Sequence, residues 1–337
     1  MLFLGALGQP EDVVAMTPPY LFWIALSLIP TAPALVLKSF TDAQNEPWVG
    51  VKILLDAVLL NTILNYILIF GKFGAPELGL LGAGLATFIA RLLAFIAVFS
   101  YVFRSKKLAR YRPEKWIKPI RITQLMSLLK MSLTISGQGF IISGAFSITA
   151  ILMGVIGTIA LASHQIALVF AMTGAIIPMG LSIAVSIRIG HVLGEKKPLE
   201  CLTIFIGAQI LGIVCMGAIA AIFIFHGREF LTWFFTDLDL IDLTTRLLWV
   251  VGGYLIFDSV QLISMGALRG YKDMFFPTVF LFGAFWLVAL PLGALLTFYF
   301  GYGDSSLWFG LALGFILCAI TLSIRFMFIY RSFNLTS

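Results

Sequence analysis

The chain has 337 residues, of which 60% are hydrophobic and only 11% charged, with a mean hydropathy of +1.03. A soluble domain carries roughly 25% charged residues, so the composition excludes one and points to an all-α integral membrane protein in contact with the lipid bilayer throughout. The formal charge of +6 does not indicate nucleic acid, because the basic residues sit in short loops between apolar runs, where they report orientation.

In chain order, the opening MLFLGALGQPEDVV has too short an apolar part to span and lacks the basic start of a secretory signal, so it reads as a cut end. Nine apolar runs of spanning length follow, at about 18–38, 48–70, 79–103, 124–154, 159–187, 200–225, 246–268, 275–300 and 306–330. Between the third and fourth lies RSKKLARYRPEKWIKPIR, Arg104 to Arg121, with eight basic residues against one acidic. The positive-inside rule puts that loop in the cytoplasm. Alternating outward from it, RIGHVLGEKK, LRGYKD and the carboxyl-terminal tail fall inside, while the acidic TDLDLID, GYGDSS and GQPED fall outside. The cysteines Cys201, Cys215 and Cys318 show no metal or disulfide spacing and read as small core residues.

Three spans precede the basic loop and six follow it, an asymmetry that an internal repeat explains. YLFWIALSLIPTAPALVLKSFTDAQNEP and its next two spans resemble YLIFDSVQLISMGALRGYKDMFFP and the two after it. The register pairs Tyr20 with Tyr254, Lys38 with Arg269, Pro47 with Pro277 and Gly82 with Gly310. Spans one to three therefore repeat spans seven to nine, and a complete repeat predicts three more helices ahead of them, with residues 1–8 as the end of the last.

Three blocks carry a family likeness: NTILNYILIFGKFGAPELGLLGAGLAT (Asn61 to Thr87), GTIALASHQIALVFAMTGAIIPMGLSIAVSIRIGHVLG (Gly157 to Gly194), and the stretch ending ALRGYKD. With them the chain resembles the multidrug and toxic compound extrusion (MATE) transporters, most closely their NorM branch. The resemblance implies a twelve-helix, two-lobe fold of which this chain holds helices four to twelve. Residues 1–103 would form a partial amino-terminal lobe, 104–121 the basic cytoplasmic connection, and 122–337 the carboxyl-terminal lobe. It also implies a monomer of the bacterial inner membrane that exports cationic aromatic drugs or dyes in exchange for sodium ions or protons by alternating access, with no cofactor beyond the coupling ion. Lacking part of one lobe, this chain is expected to transport weakly or not at all. A lipid or polysaccharide flippase is the alternative within transport, and an intramembrane enzyme using Asp258 with His164 the alternative outside it.

Asp258 stands well inside the seventh run. A carboxylate at a helix centre costs about 2.5–3.5 kcal/mol on insertion scales, so it is retained for a pathway or for a partner on a neighbouring helix. On the first reading a proton or sodium ion neutralises it and a cationic substrate competes for the same charge. By resemblance Asp258 matches the carboxyl-lobe aspartate of NorM-type members, while Ile142 stands where many of them carry a glutamate. Gln138, Ser143 and Ser147 could supply neutral oxygens there. Asn61 and Asn65, four apart, share a helix face and match polar positions of the amino-lobe cation site; interhelical hydrogen bonding is the alternative. The first-helix aspartate of that site lies outside this chain, and Asp56 reads as interfacial.

His164 and Gln165, expected near the outer surface, are candidates for pH sensing or substrate contact, or for capping. Gln261 is a further cavity candidate. Tyr254, Phe257, Phe140, Phe146 and Trp286 are candidates for an aromatic lining that holds flat cations. Pro30, Pro33, Pro178 and Pro291 are expected to bend their helices, Gly174, Gly180 and Gly283 to permit close helix approach, and Arg269, Lys272 and Asp273 to anchor the cytoplasmic end.

Overall fold

Backbone N–H and C=O groups cannot remain unpaired in hydrocarbon, so each apolar run closes its hydrogen bonds within one helix. The computed structural model describes residues 11–111 and 122–336, and among these nine helices are long and apolar enough to cross a membrane. They are α1 Glu11–Ala43, α2 Pro47–Phe70, α3 Gly79–Arg104, α4 Ile122–Ile156, α5 Thr158–Gly194, α6 Glu200–Phe234, α7 Leu238–Gly270, α8 Phe275–Tyr299 and α9 Ser306–Thr336. Each matches one expected span. Several outrun the hydropathy window, because their polar ends, such as those bearing Arg188, Arg228 and Asp242, stay helical beyond the apolar stretch. The start of α7 is fixed by Asp237, whose carboxylate accepts from the Asp239 and Leu240 amides at 3.0 and 3.3 Å. The expected helix end at residues 1–8 and most of the basic connection lie outside the described residues.

The chain divides into two compact units, Met1–Lys118 and Pro119–Ser337. In the first, α3 packs on both α1 and α2. A Cβ at Gly82 would lie 2.6 Å from the Leu68 carbonyl oxygen, so only glycine admits this α2 crossing. Trp23 of α1 meets Phe88 of α3 at 5.3 Å between ring centroids.

In the second unit α7 is the central pillar: 67% of its apolar window is buried, against at most 50% in any other described span. Without a hydrophobic force between helices in lipid, packing and interhelical hydrogen bonds must hold such a pillar. Ser182 of α5 donates to the Leu262 carbonyl at 2.6 Å. One turn on, Gly266 lets the two backbones touch, since a Cβ there would collide with the Ser182 carbonyl. Gln209 of α6 donates to the Val260 carbonyl at 3.3 Å and to Ser264 Oγ at 3.1 Å, and Ser264 meets Ser323 of α9 at 3.2 Å. Below α7, Arg325 of α9 pairs with Asp273 at 2.8 Å and covers the Phe276 ring at 3.8 Å, the loop contact expected of Asp273.

The repeat register reappears in the packing, because Gly310 brings α9 onto the Ala289 backbone of α8 as Gly82 brings α3 onto α2. Of the glycines expected at close contacts, Gly174 is one, with a Cβ position 3.1 Å from Leu255. Gly180 and Gly283 are not, because both face open space. Pro291 sits in a short α-helical turn between two π-helical stretches, Gly283–Ala289 and Leu295–Tyr299, so α8 absorbs the missing N–H by widening. Cys201 and Cys318 are buried as expected, and Cys215 is partly so.

Gly266→Ala should destabilise the protein by about 1–3 kcal/mol, the usual cost of overpacking, while Gly180→Ala should leave it unchanged. Thermal unfolding of both variants in detergent checks this.

Candidate functional site

Tyr254 and Asp258 are four residues apart on α7 and so share one face. Both line a cavity of about 720 Å³ enclosed by α4, α5, α7 and α9 within the second unit. Asp258 is 7% exposed, and among the described residues its carboxylate has neither an ion pair nor a hydrogen bond. The structural alternative, a partner on a neighbouring helix, is therefore absent from the described residues. A positive group that enters the cavity is what can offset the cost of this charge.

The walls are apolar and aromatic with a few neutral oxygens. Tyr254 stacks on Phe315 at 4.6 Å with 3° between the planes, and Phe146 lies 6.2 Å from the same Phe315 ring. Ser143 and Ser147 of α4 and Gln165 of α5 line the cavity and are exposed, so it is open rather than sealed. Ile142 also lines it, which leaves Asp258 as its one carboxylate among the described residues. Along α5 the lining runs from His164 to Met179, about 22 Å of helix. Pro178 lies in this stretch and removes the N–H that would have bonded the Gly174 carbonyl.

His164 lies about 9 Å into α5, fully buried against Trp308 at 5.3 Å, and neither ring nitrogen has a hydrogen-bond partner among the described residues. It borders the cavity and makes no capping bond.

Several expected lining residues lie elsewhere. Phe257 is off the cavity because it is about 100° around α7 from Asp258. Gln261 is fully buried, with its amide nitrogen turned to Met265 Sδ at 3.8 Å. Gln138 is a structural clamp, donating to the Met274 carbonyl at 3.3 Å and Thr278 Oγ1 at 3.0 Å. Trp286 donates to the Ile141 carbonyl at 3.0 Å, and Phe140 is 79% exposed.

The first unit holds a separate pocket of about 300 Å³ between α1, α2 and α3. Asn61 lines it, donating to Thr87 Oγ1 at 3.5 Å and accepting from Asn65 at 3.1 Å, so Asn65 braces Asn61 from outside the pocket. Arg91, midway along α3, lines the same pocket, and among the described residues no carboxylate pairs with it. Arg91 thus adds a positive charge to the pocket that Asn61 lines. Sequence reasoning missed Arg91, although the rule that singles out Asp258, an ionisable residue inside a span, applies equally to it.

A third cavity of about 950 Å³ gathers Asp239 and Asp242 of α7 and the loop residue Asp304 with Arg228 and Arg246. Three acids face two bases there, and Arg228 pairs with Asp242 at 2.5 Å.

A family model described as MatE matches residues 135–295. The probable multidrug resistance protein NorM of Bradyrhizobium diazoefficiens is 34% identical over 332 residues, covering 97% of this chain and 71% of that protein. The multidrug resistance protein NorM of Photobacterium profundum is 33% identical over 299 residues, covering 87% of this chain and 65% of its own length. Among solved structures, the eukaryotic MATE transporter AtDTX14 has a TM-score of 0.85 at 21% identity, covering 96% of this chain and 71% of its own. The Vibrio cholerae MATE transporter VcmN in the bent form has a TM-score of 0.83 at 20% identity, covering 98% and 74%. These structures establish the shared helical fold.

Gln138→Leu should lower stability by about 0.6–1.7 kcal/mol, the range for membrane side-chain hydrogen bonds, whereas Phe140→Ala should not. Unfolding by a denaturing detergent measures both.

Proposed function

The chain belongs to the MATE family of transporters, multi-pass membrane proteins and not enzymes, and on that premise we propose that it is a multidrug efflux antiporter whose exchange chemistry is carried by Asp258. The observation that carries the reading is one carboxylate, unpaired among the described residues, inside an open cavity with aromatic walls. A flat organic cation gains from the carboxylate by charge and from Tyr254, Phe315 and Phe146 by ring contact. A proton or sodium ion gains from the same carboxylate, and Ser143, Ser147, Gln165 and the Tyr254 hydroxyl offer neutral oxygens to complete a sodium shell.

One carboxylate neutralises one cation at a time, so arrival of the small ion dismisses the drug and arrival of the drug dismisses the ion. Coupled to alternating access, that mutual exclusion is antiport. Among the described residues no lysine or arginine lines this cavity, which argues against a phosphate-bearing lipid or saccharide as its cargo. The NorM relatives come from bacteria, which supports an inner-membrane location. The basic connection supports a cytoplasmic carboxyl terminus.

Asp258→Asn keeps the size and removes the charge. Ethidium efflux from cells expressing that variant should fall at least about tenfold, the equivalent of 1.4 kcal/mol of lost cation binding, with the protein still inserted at normal levels. Phe257→Ala should transport like the parent chain. Undiminished efflux in Asp258→Asn would remove Asp258 from the mechanism.

A further inference from the structure

We propose that the pocket between α1, α2 and α3 is a binding site for a carboxylate: a small amphiphilic monocarboxylate whose apolar body lies along α2 and whose head meets Arg91. The proposal does not rest on the efflux reading, because it concerns a different unit, a different pocket and the opposite charge.

Arg91 lies roughly 18–20 Å along α3 from either end and is half-buried. Its guanidinium has five N–H donors. One of them is held at 2.7 Å by Ser27 Oγ. Ser27 spends its own proton on the Ile24 carbonyl at 2.6 Å and so presents a lone pair to the arginine. The head group is thereby positioned and not neutralised, since among the described residues no carboxylate pairs with it. The pocket's other cation, Lys38, differs in this respect: its ammonium already pairs with Asp42 at 2.6 Å. Uncompensated charge is therefore confined to the Arg91 end.

The neighbouring polar groups point the same way. Thr87 donates to the Ala83 carbonyl at 2.9 Å and accepts from Asn61, while the Asn61 oxygen is taken by Asn65 at 3.1 Å. Thr87 Oγ1 and Asn61 Oδ1 thus each already accept one bond, and N–H donors of Arg91 and Asn61 are left over among the described residues. Such a floor suits a group that only accepts hydrogen bonds and carries one negative charge. A planar carboxylate fits a guanidinium through two parallel bonds, whereas a phosphate would bring more charge than one arginine offsets. From Asn61 the lining of α2 continues through Val58, Ala57, Leu54 and Ile53 to Gly50, about 16 Å of largely apolar wall. That wall accepts a hydrocarbon chain or ring.

Titration calorimetry with decanoate on the purified full chain in detergent tests this, with decyltrimethylammonium as a probe of the same tail and opposite head. Saturable decanoate binding is expected, with no competition from decyltrimethylammonium. Arg91→Gln should weaken it at least tenfold, Arg91→Lys should weaken it less, and Ala57→Trp, which fills the pocket and leaves Arg91 in place, should abolish it. Thermal unfolding confirms that each variant is folded, and the last two variants decide the matter if Arg91→Gln is not. Absence of saturable binding to the folded parent chain would overturn the proposal. So would equal binding of the ammonium probe, or decanoate affinity unchanged in the folded Arg91 and Ala57 variants.

Discussion

A charge inside hydrocarbon must be met by an opposite charge or by water, and the second unit holds Asp258 without an opposite charge among the described residues. Its surroundings are arranged around that imbalance. α7 is otherwise the most buried described span, clamped to α5 by Ser182 and Gly266 and to α6 by Gln209. Those bonds fix the height and rotation of the helix, and hence the face on which Asp258 and Tyr254 open into the cavity. A mobile carboxylate could find its own internal partner; one held this way waits for a cation.

The three cavities differ in how their charges balance. At Arg228 and Asp242 acids and bases cancel within the protein. Around Asp258 a single negative charge is left over, and around Arg91 a single positive one. Cavity size does not follow charge: the largest of the three mixes three acids with two bases, whereas each of the other two holds one charge left unpaired among the described residues.

Much of this was legible in the sequence because the bilayer imposes simple rules. Nine runs of the right length became nine described helices, and the Gly82–Gly310 register reappeared as two equivalent helix crossings. Asp258, Tyr254, Phe146, His164 and Gln165 met in one cavity although they come from three helices. What escaped was side-chain direction. In spans apolar on every side, hydropathy does not say which face is inward, so Phe257, Gln261 and Gln138 looked as eligible as their neighbours. Glycine spacing likewise did not separate Gly174, which is tightly packed, from Gly180, which is not. Arg91 was visible all along as a basic residue midway through an apolar run.

The central claim is that an organic cation and a small coupling ion share one carboxylate. It is tested most directly by titrating tetraphenylphosphonium into the purified protein under weak buffering, with proton release recorded and the titration repeated in sodium. The account predicts either release on the order of one proton per cation bound or weakening of binding in proportion to sodium. Binding that releases no proton and is indifferent to sodium would contradict it.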